Sequence, residues 1–226
     1  MSELLFVTVG TTAIRNPKIG DTHLSQIAQH YLKAPDERFA QLHELEQKLV
    51  AAHSDFWRNL KGREISPDDF DRTSAELTST MRLTQQQQSI TSIILLGSET
   101  TEGKLATAVN HAVLSRIWKG GQVFENIVPG LEKRFTKVTP SIEKILEGRG
   151  ASSASRVHFN ITGGFKGVIP SITYLAMQHQ GWSVFYQYEG LNTAAEVFFS
   201  GDGSAKARIE EKERREPVVS PEDVEG

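Results

Sequence analysis

The sequence contains no cysteine among its 226 residues, and this absence removes several classes of site at once. Without a thiol there is no disulfide framework, no thiolate zinc site and no cysteine nucleophile. A chain without disulfides suits a reducing compartment, so we expect a cytoplasmic protein.

Long apolar runs and a strong charge excess are also missing. No stretch approaches the roughly 18 to 20 apolar residues of a membrane-spanning helix, and the first residues lack the pattern of a signal peptide. We therefore expect no membrane partner. The net charge is −3 at pH 7, and a slightly acidic surface does not attract long nucleic acids. A phosphate-bearing ligand would need a local pocket.

Apolar and β-branched runs recur along the chain and predict strands. Runs without strict alternation are typical of strands buried on both faces, as in a parallel sheet covered by helices. A short link precedes the last run, which predicts an antiparallel pair there. The predicted strands are 4–9, 92–96, 122–128, 156–161, 183–188 and 195–199.

Helical periodicity separates these runs, with helices expected over 102–118, 140–147 and 165–179. Thr139 and Pro140 suit the N-cap and first position of the second helix. The alternation predicts an α/β fold, namely a Rossmann-like doubly wound, mostly parallel sheet with a terminal antiparallel hairpin.

Residues 21–90 are too many for one crossover helix and predict a helical insertion after the first strand. Two helices are expected there, over 36–60 and from Ser66 to about residue 88. The insertion would cover the ligand site or form a dimer contact. Residues 201–226 are rich in charge and then in proline, which predicts a frayed helix followed by disorder. The Rossmann-like domain is therefore expected to span residues 1–200.

Small polar residues follow three of the predicted strands, at the edge where doubly wound sheets bind ligands. After the first strand, Gly10 lets a ligand approach the backbone closely. Thr11 and Thr12 offer hydroxyl and N–H groups beside it. The alternative interpretation is an ordinary turn between a strand and a helix.

The loop after the second strand, residues 97–104, resembles a Walker A loop only superficially. Its glycines are one residue too far apart, and Leu105 stands where a magnesium-binding hydroxyl is required. We do not expect an NTPase. The alternative is a polar loop beside a ligand, with three candidate contacts, Ser98, Glu99 and Thr100.

The loop after the fourth strand carries two consecutive glycines before a predicted helix. N–H groups at such a turn can point at an anion. Lys166 would lie in the first helical turn, where a cation opposes the helix dipole, so a bound anion would explain its presence. The alternative is a glycine turn with a solvated lysine. The candidate ligand contacts here are Asn160, Thr162, Gly163, Gly164 and Phe165.

Two further sequence patterns are weaker indications of a functional site. Arg38 and His43 have the Arg-x4-His spacing of HEPN-type ribonucleases, but the helical domain that this motif needs is not evident. We interpret the spacing as coincidence. A ribonuclease that uses both residues is kept as an alternative function. The histidines show no metal-ligand spacing, and the acids at 68–71 are typical of a helix start. We expect no metal and no cofactor.

The segment Asn160-Ile161-Thr162-Gly163-Gly164-Phe165-Lys166 resembles the Thr-Gly-Gly-x-Lys signature of CARF domains, the CRISPR-associated Rossmann folds. The loop with Gly10, Thr11 and Thr12 is similar to the first-strand loop of those domains. Residues 93–103 resemble the middle motif of small stand-alone members, and 186–190 their last core strand. The resemblance covers residues 3–200 apart from the insertion.

The resemblance implies a homodimer that binds one cyclic oligoadenylate, the second messenger of type III CRISPR systems, across its two-fold axis. Family members either sense the messenger and activate an effector, or cut it as ring nucleases. The residues after 200 are too few and too charged for an effector nuclease, which favours a ring nuclease for cyclic tetra-adenylate. The alternative is a non-catalytic sensor that regulates a separate effector partner.

Ring cleavage requires only that a ribose 2′-OH attack its own 3′-phosphate in line, with donors for the phosphate and no metal. Lys166 is the expected stabiliser of the phosphorane charge. Thr11 and Thr12 would orient the phosphate or the 2′-OH. Family members rely on a serine in the first loop where this chain has threonine, which concerns the rate more than the binding.

Overall fold

The structure is a computed structural model that describes residues 2–15, 39–60, 73–131, 135–164, 166–188, 193–200, 202 and 204–211. Within these ranges, strands from both halves of the chain join in one sheet. The seven strands are β1 (Glu3–Thr8), β2 (Ile90–Ser98), β3 (Gln122–Val128), β4 (Arg156–Asn160), β5 (Ser183–Gln187), β6 (Thr193–Phe199) and β7 (Ala205–Glu211).

The strand order in the sheet is β3-β2-β1-β4-β5-β6-β7. The first five strands are parallel, whereas β6 and β7 are each antiparallel to their neighbour. The chain winds outward from β1 to β3, then returns and winds the other way from β4, so the switch point lies between β1 and β4. The Rossmann-like doubly wound fold and its antiparallel hairpin are confirmed.

Helices cover both faces of this sheet. Neighbouring residues of β1 point to opposite sides, so Leu5 and Val7 join one core cluster while Leu4 and Phe6 join the other. This explains why β1 is a continuous apolar run. No helix in the described ranges is both long enough and apolar enough to cross a membrane. The helices are α1 (Thr12–Arg15), α2 (Phe39–Asn59), α3 (Ala75–Gln86), α4 (Thr101–Ile117), α5 (Phe135–Gly148) and α6 (Ile169–Met177).

The helices predicted over 36–60 and 102–118 correspond closely to α2 and α4, whereas α3 matches only the second half of the helix predicted from Ser66. Helices α2 and α3 form the described part of the predicted insertion, and α2 packs into the same core cluster as α4. Helix α3 begins after its N-cap Ser74, whose hydroxyl accepts from the Leu77 N–H at 3.1 Å. The predicted start at Ser66 lies outside the described residues.

Helix α5 corrects the prediction that Thr139 is an N-cap. The helix already begins at Phe135, and Pro140 lies inside it. An internal proline removes one backbone hydrogen bond, which disfavours a helix by itself. The buried side chains of Ile142 and Leu146 offset this by packing against the sheet. Tertiary burial therefore overrides the local signal.

Strand β7 corrects the prediction of a frayed helix after residue 201. Residues 205–211 pair with β6, and Arg208 lies directly opposite Glu196. The charged residues that suggested a helix instead alternate along an edge strand. Lysine and arginine on an edge strand hinder pairing with another chain. Residues 212–226 lie outside the described ranges.

A polar network links five strands around His158, a fully buried residue of β4. Its Nε2 lies 3.1 Å from Glu3 Oε2, and its Nδ1 lies 2.8 Å from Ser183 Oγ and 3.3 Å from Glu196 Oε1. Ser183 donates to Glu196 at 2.7 Å, and Arg208 donates to the same carboxylate at 2.8 Å, extending the network to β7.

The network compensates for the burial of two carboxylates. Burial raises the pKa of Glu196, but hydrogen bonds from His158 and Ser183 and the charges of His158 and Arg208 outweigh it and lower the pKa below its ordinary value. Burial likewise opposes the lowered pKa of Glu3, which hydrogen bonds from Ser89 and His158 bring about. His158 is the group that both carboxylates share.

Replacing His158 by leucine should therefore destabilise the protein strongly. His158→Leu leaves two carboxylates without their shared partner, and we expect a loss of about 3 kcal/mol or more in the free energy of unfolding. Urea denaturation followed by circular dichroism measures this. The matched control is His43→Ala at an exposed histidine, expected to change stability by less than about 0.5 kcal/mol. Equal stability of His158→Leu and wild type would contradict the assignment.

Candidate ligand site at the topological switch point

The loops after β1 and β4 touch each other. A Cβ added to Gly10 would lie 2.7 Å from the backbone nitrogen of Gly164, and one added to Gly164 would lie 2.9 Å from Thr8 Cβ. Gly164 also has a φ of 84°, which side chains rarely adopt. Thr8 Oγ1 donates to the Gly163 carbonyl at 2.6 Å. The two predicted loops thus form one surface because glycines occupy the contact.

Glu76 of α3 lies beneath these loops, and sequence reasoning did not single it out. Its side chain is 1% exposed. Oε1 accepts from the Gly10 N–H at 2.7 Å, while Oε2 accepts from the Thr12 hydroxyl at 2.5 Å and the Ser74 hydroxyl at 2.8 Å. A Cβ on Gly163 would lie 2.1 Å from Oε1. The carboxylate therefore hydrogen-bonds α3 to the first-strand loop and packs closely against Gly163 of the other loop.

This arrangement commits two groups that the sequence offers to a ligand. The Gly10 N–H and the Thr12 hydroxyl proton both point to Glu76. The Thr11 carbonyl accepts from the N–H groups of Ile14 and Arg15 at 3.0 Å and so starts the short helix α1. Thr11 is half-buried, and no described residue bonds to its hydroxyl. Of the two threonines, only Thr12 donates its hydroxyl proton to a described residue.

The side chains of Asn160 and Thr162 hold the fourth-strand loop in place. Asn160 is fully buried and donates to Ser79 Oγ at 2.7 Å, while its Oδ1 accepts from the Thr162 N–H at 3.1 Å. Thr162 Oγ1 accepts from the Gln187 N–H at 2.9 Å. Both side chains shape the site from inside the protein. Their predicted contact with a ligand stays a prediction.

Lys166 lies beside the glycine turn but not in the first turn of an α-helix. A 3-10 turn spans Lys166–Val168, and α6 begins only at Ile169 with Pro170 in its first turn. A helix starting near 165 would place Pro170 in its interior, where its ring clashes with the preceding turn. The predicted helix start is therefore wrong, and the dipole argument for an anion at Lys166 loses its basis. Phe165 lies outside the described residues.

The amine of Lys166 is nevertheless held over the loop. Nζ donates to the Thr162 carbonyl at 2.6 Å and lies 5.1 Å from the centroid of the Tyr186 ring. An ammonium group has three protons, so donors remain for an anion. The side chain is exposed apart from these contacts.

The loop after β2 lies at the same edge of the sheet. Ser98 Oγ lies 2.9 Å from Thr100 Oγ1, which accepts from the Gly103 N–H at 3.1 Å and caps α4. Ser98 is buried, whereas Glu99 is exposed. Arg15 pairs with Glu102 and joins this loop to α1. The structure brings the three predicted loops together, and only Glu99 among these β2 candidates is exposed.

His53 of α2 fixes the first loop from the other side. The ring is fully buried, with Nε2 2.8 Å from the Ala13 carbonyl and Nδ1 3.0 Å from Thr73 Oγ1. Burial lowers the pKa of His53 to about 4, despite the opposing hydrogen bond to Ala13. The neutral ring therefore donates to Ala13 and accepts from Thr73. It links α2, α1 and the residue that precedes the cap of α3.

The side chain of Gln187, whose backbone N–H donates to Thr162 Oγ1, is fully buried. Neither its oxygen nor its nitrogen has a hydrogen-bond partner within the described part of the chain. Buried polar groups without a partner are uncommon and call for an explanation. No feature of the sequence singles out this residue, because it lies in an ordinary strand run.

The two weak patterns from the sequence are the pair Arg38 and His43 and the search for a metal cluster. His43 is exposed, and its Nε2 lies 3.0 Å from Gln47 Nε2, while Arg38 lies outside the described residues. Across the ranges that the structure describes, no group of three or more histidine, aspartate or glutamate side chains could hold a metal ion.

The fold and site define a Rossmann-like α/β protein with glycine turns and a lysine at its switch point. Residues 71–197 match the model of a family described as CRISPR-associated protein (Cas_APE2256). The match covers more than half of the chain, including α3 with Glu76 and the loop with Lys166. The chain belongs to this family of CRISPR-associated proteins, which indicates a role in CRISPR defence. No curated protein matches the chain.

The buried His53 should make stability depend on pH. Its folded pKa of about 4 lies below the ordinary 6.5, so the unfolded chain takes up a proton first as the pH falls. We expect roughly 3 kcal/mol of stability to be present above pH 6.5 and lost progressively towards pH 4. Urea denaturation at several pH values, compared with His53→Leu, measures this. An equal slope in both proteins over this window would contradict it.

The close contact at Gly163 should make even one methyl group costly. Gly163→Ala places a Cβ 2.1 Å from Glu76 Oε1, so we expect a loss of about 2 kcal/mol as the carboxylate is displaced. The control is Gly148→Ala at the end of α5, where a Cβ meets nothing within 4 Å. That variant should be as stable as wild type or slightly more stable. Thermal unfolding compares the two, and an unchanged Gly163→Ala would refute the contact.

Proposed function

We propose that the chain is a CARF-type domain that binds a cyclic oligoadenylate, most simply cyclic tetra-adenylate, and cuts it without a metal. The observation that carries this is the contact between the Gly10 turn and the Gly163-Gly164 turn at the switch point, with Lys166 beside it. Open α/β sheets bind nucleotides at this place. Membership of a CRISPR-associated family supports a role in ending or relaying a CRISPR signal.

The reaction needs little from the protein beyond geometry and charge. The ribose O2′ forms a bond to its own 3′-phosphorus, the bond from phosphorus to O5′ breaks, and a 2′,3′-cyclic phosphate remains. Water accepts the 2′-OH proton and supplies one to O5′, so the step is balanced. Lys166 would stabilise the added negative charge on the phosphorus oxygens with its remaining N–H donors. Thr11 would donate to a phosphate oxygen, and Gly163 and Gly164 would allow the close approach.

One feature supports a ligand shared by two chains. Tyr174 and Met177 are large exposed apolar side chains one turn apart on α6. Apolar side chains exposed together are typical of interfaces. This feature accords with a homodimer around one ring.

A second function, that of a sensor, is favoured because several candidate side chains are already buried and hydrogen-bonded within the protein. Asn160, Thr162 and Ser98 are buried and hydrogen-bonded inside the protein. A site that binds mainly through backbone groups suits a sensor that passes its signal to a separate effector. The two functions differ in turnover and not in ligand.

Incubation with cyclic tetra-adenylate in EDTA tests the proposal. We expect linear products with 2′,3′-cyclic phosphate ends and a calorimetric stoichiometry of one ring per two chains. Lys166→Ala should slow single-turnover cleavage by about 10² to 10³, because an anion-stabilising donor is lost. Mass spectrometry of the products and quench-flow rates measure this.

Lys104→Ala is the control, since Lys104 is an exposed lysine near the same edge, and its rate should match wild type. Tight binding without turnover over hours would replace the ring nuclease by the sensor. No binding of the tri-, tetra- or hexa-adenylate ring would refute both.

A further inference from the structure

We infer that Glu76 is a positioning residue of this site, which fixes Thr12 as a hydrogen-bond acceptor towards the ligand. The inference rests on the proposed function and adds the direction of one hydrogen bond to it. Thr12 would then orient the attacking 2′-OH and leave the phosphate to other donors.

The Thr12 hydroxyl has a single proton to donate. Thr12 Oγ1 lies 2.5 Å from Glu76 Oε2 and donates to it. A carboxylate oxygen only accepts, and a hydroxyl has one proton, so nothing is left to donate outward. What Thr12 presents to the half-buried side of the loop is therefore a lone pair.

The Glu76 carboxylate that accepts from Thr12 is itself held in place by the fold. Glu76 is held by the Gly10 N–H at 2.7 Å and the Ser74 hydroxyl at 2.8 Å, besides Thr12. Gly163 covers it so closely that no Cβ would fit there. Since the carboxylate is 1% exposed, water does not compete for its lone pairs. The direction of the Thr12 hydroxyl is set by the fold before any ligand arrives.

Thr12 Oγ1, as a fixed hydrogen-bond acceptor, suits a ligand group that donates. Phosphate oxygens only accept hydrogen bonds, so they gain nothing from Thr12 in this state and are repelled by the carboxylate behind it. A ribose 2′-OH is a donor and fits. Orienting it by a short, charge-assisted pair places O2′ in line with the phosphorus. Thr12 thus orients the nucleophile in the bound ring, and the 2′-OH proton passes to water as O2′ attacks, whereas Thr11 and Lys166 act on the phosphate.

A non-cleavable ring separates the two roles of a threonine. In 2′-fluoro cyclic tetra-adenylate the fluorine cannot donate, and no nucleophile is present. If Thr12 only accepts from the 2′-OH, Thr12→Val should bind this analogue within about twofold of wild type and cut the natural ring at least about tenfold more slowly. Thr12→Ser is the matched control and should restore cleavage. Calorimetry and single-turnover rates provide the two readouts.

The same pair of measurements on Glu76→Gln tests the positioning role. The glutamine amide can donate to Thr12 Oγ1, which frees the Thr12 hydroxyl proton to point towards the ligand. We therefore expect slower cleavage with unchanged affinity for the fluoro ring. Circular dichroism checks folding, and Glu76→Asp, whose carboxylate is withdrawn from Thr12, is the second variant. If both variants cut as fast as wild type, Glu76 does not position Thr12, and the inference is wrong.

The outcomes for Thr12 are also decisive. Weakening of the fluoro ring by fivefold or more in Thr12→Val would show that Thr12 donates to phosphate, which overturns the inference. Unchanged cleavage in Thr12→Val overturns it as well. In both cases the wild type still cuts the natural ring and the proposed function stands. A wild type that neither binds nor cuts the ring refutes the proposed function itself, and the inference with it.

Discussion

The structure around the switch point depends on the burial of one carboxylate. Placing Glu76 beneath two loops is costly unless its oxygens receive hydrogen bonds. The Gly10 N–H and the hydroxyls of Thr12 and Ser74 provide them. Because one donor is backbone and two are side chains on different elements, the requirement fixes the first-strand loop against α3. The glycine at 163 follows from the same need for space.

The doubly wound sheet explains why this contact forms where a ligand would bind. Strands β1 and β4 are neighbours, yet their following helices cover opposite faces. The two loops therefore diverge from a common edge and leave a crevice. Helix α3 fills the inner end of that crevice with polar residues, since Asn160 bonds to Ser79 and Gly10 bonds to Glu76. The inner end of the crevice is therefore lined by polar groups of the protein itself.

Much of this follows from the sequence, and the failures have physical causes. Continuous apolar runs predicted the parallel strands because burial on both faces leaves no alternation. The glycine loops were found because close backbone approach requires glycine. Glu76 was missed because a buried acid in a helix resembles a surface acid until its donors, distant in sequence, are known. The start of α6 and strand β7 were missed because proline placement and edge pairing override local helical signals.

The network around His158 has a consequence for how the sequence can change over time. Glu3, His158, Ser183, Glu196 and Arg208 come from five different strands, yet each is matched by another member of the set. Loss of one member leaves a buried charge or donor unmatched, so the effects of two substitutions are not additive. We therefore expect substitutions at these five positions to be tolerated in matched combinations more readily than singly.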